Sequence, residues 1–218
     1  MPSVTEILNT FPERELIEWK LRVGPKKVKE VSEEALMIGK TVDELIQADV
    51  KGLPIASHGL PTQDTPIYNC WLGWKKFKQA YPHFIPSLVG VQHELRRDEI
   101  TGHPDFLLQQ NRHREYTSSL NERGVCDLKC ATQIRPNYWT QVAAYSWLQN
   151  STENANFLAI LRLDKVTGSY EYAELTDPDE IDYEVQVWLN YKVLYEHRQR
   201  VAERSRTMRE DVAYDGVS

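Results

Sequence analysis

Apolar residues fall at helical spacing through the first third of the chain, then at strand spacing in several short runs, with two further helical stretches among and after them. Residues 13–23 carry Leu16, Ile17, Trp19, Lys20 and Leu21, an amphipathic pattern that predicts a short helix ending near Gly24-Pro25. Leu36, Met37, Val42, Leu45 and Ile46 predict a second helix, capped by Ser32 and running to about Asp49. Residues 51–66 are rich in glycine and proline and predict a loop. Trp71, Trp74 and Phe77 place a third helix over residues 67–81. The period then shortens. Residues 88–95 predict a strand, residues 99–109 its hairpin partner, and residues 125–130 a short central strand beyond a polar, mobile connection over 110–123. A helix is expected over 137–149 and a second hairpin over 157–163 and 169–175. Asp177, Pro178 and Glu180 mark the start of a last helix, expected to reach about Ser205 before a frayed tail. Helices first, then strands with a helix between them, predict an α/β fold with a mixed central β-sheet flanked by helices.

At 218 residues, 41% hydrophobic and 27% charged, the chain has the composition of an ordinary soluble globular protein with room for a real core. No apolar run approaches membrane-spanning length and the N-terminus lacks a signal-peptide pattern, so a cytoplasmic setting is expected. The odd cysteine count (Cys70, Cys126 and Cys130) fits a reducing interior rather than a disulfide framework. The net charge of −6 argues mildly against a nucleic-acid partner, but contact with DNA depends on local patches, and an acidic metal pocket contributes negative charge of its own.

The chemistry concentrates in Gly102-His103-Pro104-Asp105, then Gly124-Val125-Cys126-Asp127-Leu128-Lys129, then Gln141-Val142-Ala143-Ala144-Tyr145. Asp127 and Lys129 lie two apart on a predicted strand and project from one face. If the segment at Asp105 pairs beside that strand, the two aspartates converge. At about 4 Å and an effective dielectric near 20, two carboxylates repel by about 4 kcal/mol, a penalty that a shared proton or a divalent cation removes. Oxygen ligands from Asp105, Asp127 and the Leu128 carbonyl suit magnesium or manganese, with Lys129 placed to position the attacking water or to stabilise charge on the phosphate. Glu94, on the preceding strand, is a candidate for a supporting acid. Gln141 and Tyr145 share one helical face. A bare Asp-x-Lys carries little information, and Asp49-Val50-Lys51 repeats it without an upstream strand. The bland alternative for Asp127 and Lys129 is a surface ion pair.

Taken together, these motifs resemble the PD-(D/E)XK nuclease superfamily, in its RecB-like and phage-exonuclease branch. The opening, with Pro2 to Leu8, Leu16, Trp19 and Ala35 to Asp43, is similar to that of the mitochondrial genome maintenance exonuclease family and related phage proteins. The resemblance implies a restriction-endonuclease-like core over residues 85–218, with a helical N-terminal region, 1–84, forming a DNA-guiding wall of the same compact domain. It implies Asp105, Asp127 and Lys129 as catalytic groups, Gln141 and Tyr145 as a helix bracing the site and the DNA, and Glu94 as an acid before the first aspartate. Relatives carry histidine where this chain has Asp43. Aspartate can also ligate a hard cation, so Asp43 is expected as a metal ligand, with a solvated helix residue as the alternative. The activity implied is metal-dependent hydrolysis at DNA ends, of phage or prophage recombination or replication type, in the host cytoplasm, with a recombination or single-strand-binding protein as the candidate partner. An endonuclease of the same fold, a non-cleaving nucleic-acid-binding protein on a nuclease scaffold and a structural module of a recombination complex are the rivals.

Other candidates weigh less. Cys126-x-x-x-Cys130, with His113 upstream, has zinc-like spacing, but Cys126 alternates away from the catalytic face and reads better as core. An iron–sulfur cluster would want a fourth cysteine and is not expected. His93 and His103 flank the proposed site and read equally as ligands, proton shuttles or surface residues. Trp19 with Lys20, Lys26, Lys27 and Lys29, and Lys75, Lys76 and Lys78 beside Trp71 and Trp74, suit single-stranded DNA; solvated faces over a tryptophan-containing core are the alternative. Arg198, Arg200, Arg204 and Arg206 read as an exposed helix end.

Overall fold

In the structure, a computed structural model, the described residues are 1–54, 62–63, 65–111, 121–149 and 155–215. Six helices run over Val4–Asn9 (α1), Arg14–Val23 (α2), Pro25–Val50 (α3), Pro66–Ala80 (α4), Pro136–Leu148 (α5) and Pro178–Asp215 (α6). The strands are Leu88–Val91 (β1), Leu95–Arg97 (β2), Ile100–Gly102 (β3), Phe106–Asn111 (β4), Asn121–Cys130 (β5), Phe157–Leu163 (β6) and Tyr170–Leu175 (β7). The fold is mixed α/β. Its main sheet has the order β1-β4-β5-β6-β7, while β2 and β3 form a separate two-stranded ribbon. Among the strand pairs of the main sheet in the described residues, β5–β6 is parallel and the others antiparallel, as the α5 crossover between β5 and β6 requires.

Helices cover both faces of this sheet. On one face, α1, α5 and α6 bury Val4, Ile7, Val142, Leu148 and Trp188 against Val125, Leu158 and Ile160. On the other, α3 and α4 bury Val42, Leu45, Trp74 and Phe77 against Phe106, Cys126, Phe157 and Leu161. The N-terminal helices thus share their cores with the sheet. Gly124 belongs to the tight centre of this packing, because a Cβ there would lie 2.0 Å from the Phe157 ring.

Local signals explain most boundaries. Ser3 caps α1 by accepting from the Glu6 N–H at 3.1 Å, and Thr65 caps α4 by accepting from the Tyr68 N–H at 3.2 Å. Asp177 accepts from the Asp179 N–H at 2.9 Å and so starts α6, as the sequence predicts. Ser32 is not a cap. The helix assigned to it begins seven residues earlier, at Pro25, because Gly24 takes φ 80° and Pro25 supplies a ready first turn. Likewise α6 continues to Asp215 instead of ending near Ser205, and β5 begins at Asn121 rather than Val125. Part of the connection expected over 110–123 is therefore strand; residues 112–120 lie outside the described residues.

The main departure concerns the strand expected over 88–95. It stops at Val91, because Gln92 adopts φ 50°, a left-handed conformation that ends an extended run. The chain then makes a small hairpin, β2–β3, turning at Asp98 and Glu99 with φ 49° and 61° as a primed two-residue turn demands. It returns through His103-Pro104-Asp105 to β4, which pairs back on β1. The excursion begins at Gln92 and ends at Asp105, and the Gln92 N–H donates to the Asp105 carbonyl at 3.2 Å across its base.

Candidate active site

Strand register does what the sequence reading requires of it. Phe106 pairs with Cys126 in the antiparallel β4–β5 ladder, so one further step sets Asp105 opposite Asp127. Asp105 Oδ2 accepts from the Leu128 N–H at 2.6 Å, which fixes that carboxylate against the edge of β5 where β4 no longer pairs. In an extended strand the N–H and C=O of one residue point to the same side, so the Leu128 carbonyl faces Asp105 as well.

Asp127 is buried, at 3% exposure, and forms an ion pair with the Lys129 ammonium. Its Oδ2 meets no other well-aligned hydrogen-bond donor among the described residues. Lys129 Nζ also donates to Gln141 Oε1 at 2.9 Å and lies 5.2 Å from the centre of the Tyr138 ring. Burial pulls the Lys129 ammonium down, but the charges of Asp127 and Asp105 outweigh it and hold the group above the ordinary lysine value. Gln141 Nε2 in turn donates to the Tyr145 hydroxyl at 2.8 Å and approaches Thr5 Oγ1 of α1 at 3.5 Å. Burial, reinforced by the Asp127 charge, pushes the Tyr145 hydroxyl well up, so it stays a neutral donor.

Asp43 reaches the site from α3. Its Oδ2 accepts from Gln47 Nε2 at 2.8 Å and its Oδ1 from Gln92 Nε2 at 3.2 Å. Gln92 Nε2 donates to Asp105 Oδ1 as well, at 2.7 Å. Burial raises the Asp43 carboxyl above its usual range against the two amide donors, and burial with the Asp127 charge raises Asp105 further. Among the described residues no three Asp, Glu, His or Cys side chains close on a single point. A cation there would therefore complete its shell with carbonyl oxygens and water.

The structure thus gathers Asp43, Asp105, Asp127, Leu128, Lys129, Gln141 and Tyr145. It does not bring in Glu94, which is exposed on the ribbon and held in a two-pronged pair by Arg96 Nη2 at 2.8 Å to each oxygen. That guanidinium keeps the Glu94 carboxyl below its ordinary value. Gln92 occupies the place for which Glu94 was the candidate. Strand alternation selects residues 92 and 94 equally; preferring a carboxylate over an amide picked the wrong one. Thr5 and Tyr138 were also missed, the first because α1 was not anticipated and the second because a tyrosine in an amphipathic helix reads as packing. His93 and His103 are exposed beside Glu94.

Of the candidate DNA-contact residues, Gln141 and Tyr145 belong to this cluster, while Trp19 and Lys20 sit on α2 and Lys75 and Lys76 on α4. Trp74 is fully buried and Trp71 nearly so, which removes both rings as stacking platforms. Lys76 Nζ donates to the Gly168 carbonyl at 2.8 Å, Lys78 pairs with Asp49, and Lys75 lies 5.5 Å from the centre of the Trp71 ring. Trp19 is half-buried and Lys20 exposed on α2. Cys126 is buried on the opposite sheet face, where burial lifts its thiol, as the core reading expects; His113 lies outside the described residues.

No protein-family model matches the chain, and no curated protein matches it. Among solved structures it is similar to an alkaline exonuclease from Laribacter hongkongensis, with 14% identity over 61% of this chain and 69% of that one, at a TM-score of 0.35. The same exonuclease in complex with dAMP aligns with 76% of this chain and 85% of that one, at 15% identity and a TM-score of 0.30. The protein SSO0001 aligns with 72% of this chain and 74% of its own, at 15% identity and a TM-score of 0.31.

Proposed function

We propose that the chain is a divalent-metal-dependent deoxyribonuclease that hydrolyses phosphodiester bonds at DNA ends. The observation that carries this reading is the register that sets Asp105 opposite Asp127, with Lys129 beside them on the same face. The donor chemistry fits a hard cation: carboxylate and carbonyl oxygens predominate, and Asp127 Oδ2 is buried with no aligned donor beyond its lysine. Asp105, Asp127 and the Leu128 carbonyl would hold magnesium or manganese, with Asp43 as a further acid. The bound ion would supply Lewis-acid charge to the scissile phosphate.

The chain's own residues do the rest. Lys129 presents an ammonium to the phosphate oxygen on which charge accumulates. Gln141 orients that ammonium through its amide oxygen, and Tyr145 fixes the amide by accepting its N–H. Lys20, Lys75 and Trp19 remain candidates for guiding a strand toward the aspartates, and Lys76 joins them only by leaving the Gly168 carbonyl. The preference for ends, and a role in phage or prophage recombination alongside a single-strand-binding partner, rest on the motif resemblance.

The test is digestion of end-labelled linear DNA and of circular single-stranded DNA, with magnesium or manganese and with chelator. Cation-dependent loss of the linear substrate alone supports the proposal. Cutting of circles moves the assignment to an endonuclease. Binding without cleavage by any cation makes the protein a non-cleaving DNA binder and ends the enzymatic reading.

A further inference from the structure

Gln92 has no part in the roles assigned above, yet it bonds two acids of the cluster, Asp105 and Asp43. Its main-chain N–H closes on the Asp105 carbonyl, and its side-chain amide nitrogen donates to Asp105 Oδ1 and to Asp43 Oδ1, at 2.7 and 3.2 Å. One nitrogen therefore joins two carboxylates that come from different layers, α3 and the start of β4. Its backbone sits at φ 50°, a conformation non-glycine residues rarely hold and one that persists where surrounding contacts over-determine it. Straightening Gln92 would extend β1 and carry the side chain off this line.

A nitrogen that presents hydrogens to two carboxylate oxygens stands where a cation shared by them would stand. The geometry points to Gln92 as a positioning residue that holds Asp43 and Asp105 together while no cation is bound and yields those oxygens to the cation when it arrives. This rests on the metal-dependent reading above. Two physical consequences follow. The amide keeps the cluster assembled when ion is scarce, so the β2–β3 excursion does not splay at its base. It also opposes loading, because a cation must displace hydrogen bonds already made, so Gln92 sets the ion concentration at which the site fills.

A residue with a merely structural role would lower stability equally with and without ion. The predicted pattern differs. Thermal unfolding and titration calorimetry are run on the full chain with manganese as the probe, comparing wild type with Gln92→Asn and Gln92→Glu. Asparagine tolerates the left-handed backbone but is too short to bridge, so that variant tests the bridge without refolding the turn. Glutamate keeps the length, removes the donors and adds a charge. Both variants should unfold earlier without manganese and show a larger manganese-induced rise in melting temperature than wild type. Manganese affinity should increase, by about tenfold or more for Gln92→Glu, since ligand charge tunes such sites strongly. An unchanged or smaller manganese response in both variants overturns the inference while leaving the metal reading intact. A wild type that does not respond to manganese overturns both.

Discussion

The chain contains the same three-residue pattern twice, and the two copies do unrelated work. Asp127-Leu128-Lys129 lies on β5, where side chains two apart project from one face, so carboxylate and ammonium meet over the sheet beside Asp105. Asp49-Val50-Lys51 lies at the end of α3, where residues two apart point in different directions. There Asp49 Oδ2 accepts from Trp74 Nε1 at 2.7 Å and pairs with Lys78, fastening α3 to α4, while Lys51 turns to solvent. The backbone period, rather than the residue pattern, decides whether the acid and the lysine of the pattern pair with each other or point apart.

The largest effect that tests this contrast comes from removing each acid in turn. Asp127→Asn should lower cation-dependent cleavage by about a thousandfold or more, the scale expected when charge stabilisation at a phosphoryl centre is lost, with far-ultraviolet circular dichroism unchanged. Asp49→Asn should leave the rate per folded molecule intact. Equal activity of the Asp127 variant and wild type would remove β5 from the chemistry.

Stability should respond in the opposite sense. Asp49→Ala leaves the Trp74 indole N–H and the Lys78 ammonium without their acceptor in a mostly buried seam, where the Asp49 and Lys78 side chains are 13% and 25% exposed. A loss of about 2–4 kcal/mol is expected, the usual cost of orphaning buried polar partners. Urea unfolding measures it, and a loss within the noise of neutral surface substitutions would show that the helices are held by their apolar contacts alone.

Within the β5 site, Gln141→Leu should have an intermediate effect. It removes the oxygen that orients Lys129 but leaves the Asp127–Lys129 pair in place. A drop of about tenfold in kcat with KM nearly unchanged is the signature of a group that acts through another in the transition state. A change confined to KM would instead place Gln141 on the DNA.

Those contrasts also mark what the sequence made legible. Asp127, Lys129 and Gln141 could be chosen because they sit in periodic elements, a strand and a helix, and Asp105 because it lies one step before the adjacent strand, with side-chain directions that follow from counting. The mixed character of the sheet follows from the order of helices and strands, while the parallel β5–β6 pairing emerges only in the structure. Gln92 was hidden because its placement depends on a backbone reversal that ends β1, and no residue there is a glycine or asparagine to announce it. The fate of Lys76 and Lys78 was hidden for a related reason. Their partners, Gly168 and Asp49, lie far away in the chain, and only the packing of α4 on α3 and on the β6–β7 turn brings them close. Glu94 was expected on the strand before Asp105, and that strand ends at Val91, short of it.

The smallest expected effect is the most discriminating for the helical copy. Lys51 Nζ approaches Gln47 Oε1 at 3.5 Å, one turn back on the surface of the same helix. Contacts of that kind contribute about 0.2–0.5 kcal/mol, so Lys51→Ala should shift stability by no more than about half a kcal/mol and leave cleavage untouched. Lys129, by contrast, is 21% exposed and lies between an acid and an amide that both face the site. Removing the Lys129 ammonium should therefore silence the protein where removing the Lys51 ammonium does nothing. If Lys51→Ala also lowered cleavage, the end of α3 would have to reach the DNA, and the division between a reactive strand copy and a structural helix copy would fail at its simpler half.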